Sequence, residues 1–321
     1  MLKKIVAAVL MGTMLSCMAG CGKTNSTATR DAAKTIESNA EWDATVSDSD
    51  RMNSSERKED SSPLQEAEQQ PMINGQAMTL AERVNTPEGY IRTDAQMGSL
   101  TAFLRNYPLK EAGAEVLLYN ALPKANQNAH AAVFALPIEE YDLQQCADSV
   151  MRVYAEYYWS TGQYDKIAFH FTNGFLAEYI KWRDGYRIDV NGNNVSWSKS
   201  ASYDDSYECF VKYMKIVFTY AGTLSMETEA EQIEIDDIRV GDVFLYGASP
   251  GHVVMIVDVC EDENGQKAFL LGQGYMPAQE FHLLKNNRHE DDPWYYADEV
   301  VYPFRTPEYT FGEGTLKRLE Y

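Results

Sequence analysis

Gly241-Asp-Val-Phe-Leu245, followed by Ser249-Pro-Gly-His-Val-Val-Met-Ile-Val-Asp258, is the stretch on which the fold turns. Both runs are apolar, rich in β-branched residues and short, so each reads as a buried strand. The Pro-Gly pair between them marks a tight turn. That turn delivers His252 at the first position of a strand running to Cys260. Asn264-Gly265 is a favoured hairpin turn, and it leads into a third strand, Lys267 to Gln273. A fourth, Glu280 to Leu284, comes next. Strands in close succession joined by short links pair antiparallel.

Upstream the periodicity changes. Asp142 to Trp159 predicts the strongest helix in the chain, with Cys146, Val150, Val153, Tyr154 and Tyr157 on one stripe. Ser206 to Tyr220 predicts a second long helix, and Ser99 to Asn106 a short one ended near Pro108. Phe175 to Trp182 also reads as a helix, closed near Gly185. Glu115 to Tyr119, Ala131 to Ala135 and Ile167 to Phe171 read as strands. Tyr186 to Trp197 is a hairpin about Asn191-Gly-Asn-Asn194. Helices first and an antiparallel sheet later predict a single α+β domain over residues 78–321, its helices packed on the sheet.

The N-terminus has a different character. Lys3 and Lys4 precede an apolar run from Ile5 to Met14, which has the form of an export signal. The run is too short to span a bilayer, which needs roughly 20 apolar residues. Met18-Ala-Gly-Cys21 resembles the lipobox of bacterial lipoproteins. The resemblance implies removal of residues 1–20 and diacylation of Cys21, the two-chain anchoring that one acyl chain does not give. Residues 21–77 are polar and acidic without apolar periodicity, and are expected to form a disordered tether. The membrane is thus an expected partner, through the Cys21 lipid. With 48 acidic against 28 basic residues the net charge is −20. Such a chain repels phosphate backbones, so nucleic acid is not an expected partner.

Once the signal and the lipidated cysteine are set aside, Cys146, Cys209 and Cys260 remain. An odd number in an exported protein leaves at least one thiol free. Asp142 can cap the long helix with Gln145 as its reciprocal partner. Cys146 would then lie in the first turn, where the helix dipole favours a thiolate. Its place on the apolar stripe fits a buried core cysteine equally. His252, at the mouth of an apolar strand, suits general-base work near neutral pH. Cys260 shares its strand but lies about 26 Å along it, at roughly 3.3 Å per residue. Cys209 also sits near a helix start, without a polar approach like Gln144-Gln145. No zinc-ligand spacing occurs, and neither a metal nor a cofactor is expected.

Two resemblances bear on function. The Gly241-Asp-Val and Gly251-His-Val runs resemble those of NlpC-type cell-wall peptidases and CHAP amidases. This implies a papain-like fold, with Cys146 as nucleophile on a helix and His252 as base on the following sheet. Gln273, on the next strand, is then the orienter of His252, as the amide is in papain-like proteases, with His282 as the alternative. Gln144 or Gln145 would join the Cys146 N–H as oxyanion donors. The chain lacks the Asp-Cys-Ser-Gly signature of NlpC-type enzymes, and 106 residues separate Cys146 from His252. The second resemblance is broader. Leu143-Gln-Gln-Cys-Ala-Asp-Ser149, His170-Phe-Thr-Asn-Gly174, Phe218-Thr-Tyr-Ala-Gly-Thr223, Pro250-Gly-His252, Tyr275-Met-Pro-Ala-Gln279 and Pro293-Trp-Tyr295 resemble the bacterial family termed domain of unknown function 4846.

The expectation drawn from these is an envelope lipoprotein acting as a cysteine amidase or peptidase, with peptidoglycan stem peptide as the substrate class. Two alternatives stay open: a non-catalytic lipoprotein binding glycan or peptide on the same fold, and a transglutaminase-like acyl transferase.

Overall fold

The structure is a computed structural model that describes residues 71–321. The expected export signal, the expected lipidation site Cys21 and most of the expected tether lie outside these residues. Residues 71–77, placed in the tether by their polarity, are part of the fold instead. Asn74 N–H donates to Arg83 O at 2.8 Å, and Asn85 N–H donates to Met72 O at 2.8 Å. Met72 and Ile73 pack on the core, which supplies the burial their neighbours lack.

The chain folds as α+β. Nine strands form one antiparallel sheet: β1 (Ile91–Arg92), β2 (His130–Val133), β3 (Ala230–Gln232), β4 (Val243–Tyr246), β5 (His252–Glu261), β6 (Lys267–Gln273), β7 (His282–Leu284), β8 (Tyr295–Tyr296) and β9 (Leu316–Leu319). Their order is β2-β7-β6-β5-β4-β9-β3, with β1 also pairing β5 and β8 also pairing β6. β5 and β6 are the centre and are buried along nearly their whole length. Gly265, with φ +81°, turns the link between them as the Asn-Gly pair predicts. Their register slips between Leu270 and Leu271, which leaves Val257 without a partner.

The described helices are α1 (Leu80–Arg83), α2 (Leu100–Arg105), α3 (Cys146–Ser160), α4 (Tyr179–Arg183), α5 (Tyr207–Tyr220) and α6 (Thr223–Thr228). α3 packs on β5 and against α2, α5 and α6, so it is buried almost all round rather than along one stripe. Polar side chains on its hidden flank are paired: Arg152 Nε donates to Glu156 at 2.7 Å and Arg152 Nη2 to Tyr207 Oη at 2.9 Å. Ser206 caps α5 through the Cys209 N–H, as its residue type predicts. Among the described residues no helix is long and apolar enough to cross a membrane.

Two expected elements differ. Leu176–Glu178, expected to be helical, is a strand paired with Ala168–His170, and the helix begins only at Tyr179. The cause is Asn173-Gly174: Gly174 has φ +86°, and Phe171 N–H donates to Phe175 O across the turn. Glu115 to Tyr119 forms no continuous strand; Leu117 and Leu118 make single bridges to Pro123 and Gln279.

Candidate functional site

α3 starts at the expected nucleophile itself. Tyr141 to Gln145 winds in tight turns, with Leu143 N–H donating to Tyr141 O and Gln145 N–H to Leu143 O. Asp142 is therefore not the cap. Gln145 is, with Asp148 Oδ2 accepting its N–H at 3.0 Å from the third helical position. Asp142 Oδ1 instead accepts Gln145 Nε2 at 3.0 Å and the Ala278 N–H at 2.7 Å, which ties this turn to the chain beyond β6. Cys146 becomes the first residue of the helix.

That position did not yield an exposed thiolate. Cys146 is 5% exposed, and its thiol is pushed up to about 11 by burial and then by the Asp148 charge. Backbone hydrogen bonds from Ala147, Val253 and Cys146 itself pull the other way without prevailing. Val253 lies beyond the last β5–β6 pair, Met255 with Gly272, so its backbone is open to the helix start. Cys146 edges a groove of about 330 Å³, walled by the Ala248–Gly251 turn, by Thr219 and Thr223, and by Asp142 and Met276.

His252 stands at the end of β5, opposite Tyr246 of β4. Its ring is buried between Tyr275 and Tyr309, with centroids 4.7 and 4.6 Å away. Burial lowers the imidazole to about 4, against hydrogen bonding from Gln273 that raises it. His252 Nε2 and Gln273 Oε1 are 3.0 Å apart. Gln273 faces His282 directly across β6 and β7, and its Nε2 lies 3.3 Å from His282 Nε2. The expected orienter and its expected alternative are thus neighbours in one network.

The network extends to two residues that sequence reasoning missed. Gln273 Nε2 donates to Glu308 Oε2 at 2.7 Å, and Lys124 Nζ donates to the same oxygen at 2.7 Å. Lys124 Nζ also lies 3.3 Å from His282 Nε2. Burial acts to raise the Glu308 carboxyl, but its interactions with His282 and with the Lys124 ammonium outweigh it and hold it at about 2. The ammonium, at 2.7 Å, is the close partner; the His282 ring is 3.7 Å away. No motif marks Glu308 or Lys124, which are 184 residues apart in sequence.

Of the residues singled out from sequence, His252, Gln273 and His282 come together, and Cys146 lies beside Val253. Cys146 and His252 make no mutual hydrogen bond among the described residues. Gln145 lines the groove. Gln144 does not; it is fully buried, with Nε2 donating to Pro137 O at 3.2 Å and Oε1 facing Arg152. Buried away from the groove, it presents no donor to an oxyanion there. Cys209 and Cys260 are buried thiols. Cys260 is pushed up to about 12 by burial and by Asp258.

These features define an α+β protein whose central helix opens on a cysteine and whose central strand opens on a histidine held by an amide. The chain belongs to the family described as Domain of unknown function (4846), which matches residues 80–318. Comparison with curated proteins and with solved structures returns no match.

Proposed function

We propose that this protein is a papain-like cysteine amidase or peptidase, exported and held at the membrane by lipid on Cys21. The observation that carries the reading is the fixed bond between His252 Nε2 and Gln273 Oε1, 3.0 Å long and buried. A buried polar network is costly unless every member is satisfied, and this one holds the histidine next to Val253, whose backbone bonds to the helix-start cysteine on the groove.

In the reaction His252 Nδ1 takes the thiol proton as Cys146 Sγ bonds to the carbonyl carbon of an amide. The protonated ring then gives that proton to the leaving amine, and an acyl-enzyme thioester remains. Water, deprotonated by the same nitrogen, hydrolyses the thioester and restores the thiol. With the thiol near about 11 and the imidazole near about 4, the resting pair is neutral. Proton transfer therefore accompanies attack, unlike in an enzyme that rests as thiolate and imidazolium. Catalytic hydrogen bonds are often long in a free enzyme and tighten with substrate. Gln145 is the amide that lines the groove, and takes the oxyanion role with the Cys146 N–H. The expected location outside the membrane favours peptidoglycan stem peptide as substrate, an argument from place alone.

A second reading, a non-catalytic binding lipoprotein, is favoured by the low exposure and raised pKa of the same thiol. One experiment separates the two. The full chain is incubated with peptidoglycan fragments and a synthetic stem peptide, and new amino groups are sought by mass spectrometry. Cleavage that disappears in Cys146→Ala and in His252→Ala is expected. Cleavage that survives Cys146→Ala, or retention of wall fragments without any cleavage, would overturn the hydrolase. Transfer of the acyl group to an added amine would identify an acyl transferase.

A further inference from the structure

We propose that Glu308 is a positioning residue that decides which ring nitrogen of His252 carries the proton, acting through Gln273. Its importance to the reaction rests on the reading of His252 as a base, but the proton placement itself can be measured without substrate.

A glutamine amide has a donor end and an acceptor end, and either could face an imidazole. Here the far partner removes the choice. Glu308, held ionised, is an acceptor only, and it meets Gln273 at 2.7 Å. Turning the amide round would set oxygen against carboxylate in a buried place. His282 adds a second constraint. Its Nδ1 lies 2.8 Å from the Glu280 carbonyl oxygen, so Nδ1 carries the hydrogen and Nε2 presents a lone pair. That lone pair faces Gln273 Nε2 at 3.3 Å. Both hydrogens of the Gln273 amide thus have acceptors on the side away from His252.

Only Oε1 remains for His252, so the ring nitrogen beside it, Nε2, must be the one that donates. In the neutral ring the lone pair then belongs to Nδ1, which has no hydrogen-bond partner among the described residues. Lys124 is needed for the chain to hold: without its ammonium, burial would favour a protonated Glu308, which could donate to Gln273 and reverse the amide.

The local fold explains why one residue can do this. Glu308 sits in the turn between Phe304–Arg305 and Thr310–Phe311, strands that pair as a hairpin. The turn is closed by Thr306 N–H donating to Tyr309 O at 3.0 Å and Tyr309 N–H to Thr306 Oγ1 at 3.2 Å. The next residue, Tyr309, covers the His252 ring. One turn both shields the ring and orients the amide that holds it.

The test is nitrogen-15 NMR of the full chain with labelled histidine, near neutral pH. The wild type should show His252 with Nε2 protonated and Nδ1 bare, as two well-separated signals. In Glu308→Gln the amide at 308 can present either end, so the two signals should move toward each other as both tautomers populate. Where that variant does not fold, Lys124→Met serves, with the same convergence expected. A wild-type ring protonated on Nδ1 sinks the proposal, and so does an unmoved pair of signals in the variants. A failed hydrolase assay would leave this outcome untouched, whereas loss of turnover with fixed signals would still overturn the role of Glu308.

Discussion

Asp148 accepts the Gln145 N–H through Oδ2 at 3.0 Å, which fixes a buried carboxyl two residues from the Cys146 thiol. Its other oxygen has no partner among the described residues, and burial raises its own pKa well above the ordinary carboxylate value. Burial is the larger cause of the raised Cys146 pKa and the Asp148 charge the next. Asp148→Asn keeps an acceptor for the Gln145 N–H and removes the charge. The thiol should titrate lower, though still above an unperturbed cysteine, because burial remains. Each unit of lowering raises the thiolate fraction at fixed pH about tenfold. Alkylation of Cys146 at pH 8, followed by mass spectrometry, should accelerate accordingly. An unchanged rate would mean that access alone limits the thiol.

His252 makes stability depend on pH. Its imidazole is lowered to about 4 in the folded state by burial, against about 6.5 in an unfolded chain. The folded protein therefore binds fewer protons between those values. The stabilisation is fully present above about 6.5 and is lost as pH falls toward 4, by about 3 kcal/mol at most. His282, lowered in the same direction by burial, adds to the slope. Glu308, held at about 2, contributes stability that is lost only at lower pH, as pH falls through its own value. In urea titrations between pH 7 and 4, His252→Gln should flatten the decline. A decline as steep as in the wild type would place the proton uptake elsewhere.

How far the sequence revealed these features depended on the reach of each contact. His252 and Gln273 were legible because Asn264-Gly265 joins their strands directly and the strand period sets their faces. The cap on α5 was legible for the same local reason. Cys146 was legible as a helix-start residue, but Asp142 was mistaken for its cap, because Asp142 with Gln145 fits the preferred pattern and Gln is not a preferred cap residue. Asn173-Gly174 was an overlooked turn of the type recognised at Asn264-Gly265, and missing it turned a strand into a helix. Glu308 and Lys124 left no sign, since they meet only after the whole sheet has formed. Burial of the thiol was legible as one of two readings, from its place on the apolar stripe; the contact with Val253, which comes from a distant strand, was not.

Gly274 brings the end of β6 against the start of α3. A Cβ there would run into the Ser149 side chain and come to 2.9 Å from Gln145 O. Both atoms belong to the first turn and cap of α3, so the helix would have to move away from the sheet. Overpacking of this kind costs about 1–3 kcal/mol. Gly274→Ala should lower the thermal midpoint and also loosen the cover over Cys146, so alkylation should speed up. A variant of wild-type stability with a slow thiol would show that α3 adjusts without strain.

Asp258 receives Arg105 Nε on Oδ1 and Arg92 Nε on Oδ2, each at 2.7 Å, and is fully buried on β5. The two guanidinium groups come from α2 and β1, so one carboxylate ties both to the strand that carries His252. The arginines are anchored beyond it, Arg105 Nη1 to Thr93 O at 2.7 Å and Arg92 Nη2 to Val84 O at 2.5 Å. Breaking a buried pair from one side leaves charge without compensation and costs about 3–5 kcal/mol, whereas replacing all members by apolar residues of similar volume is often neutral. Asp258→Asn should therefore shift the urea midpoint sharply downward. Asp258→Leu combined with Arg92→Met and Arg105→Met should recover most of the loss. If the single change costs less than about 1 kcal/mol, the scale of an exposed pair, the arginines find water when the carboxylate is gone, and the clamp is not what holds α2 and β1 to the sheet.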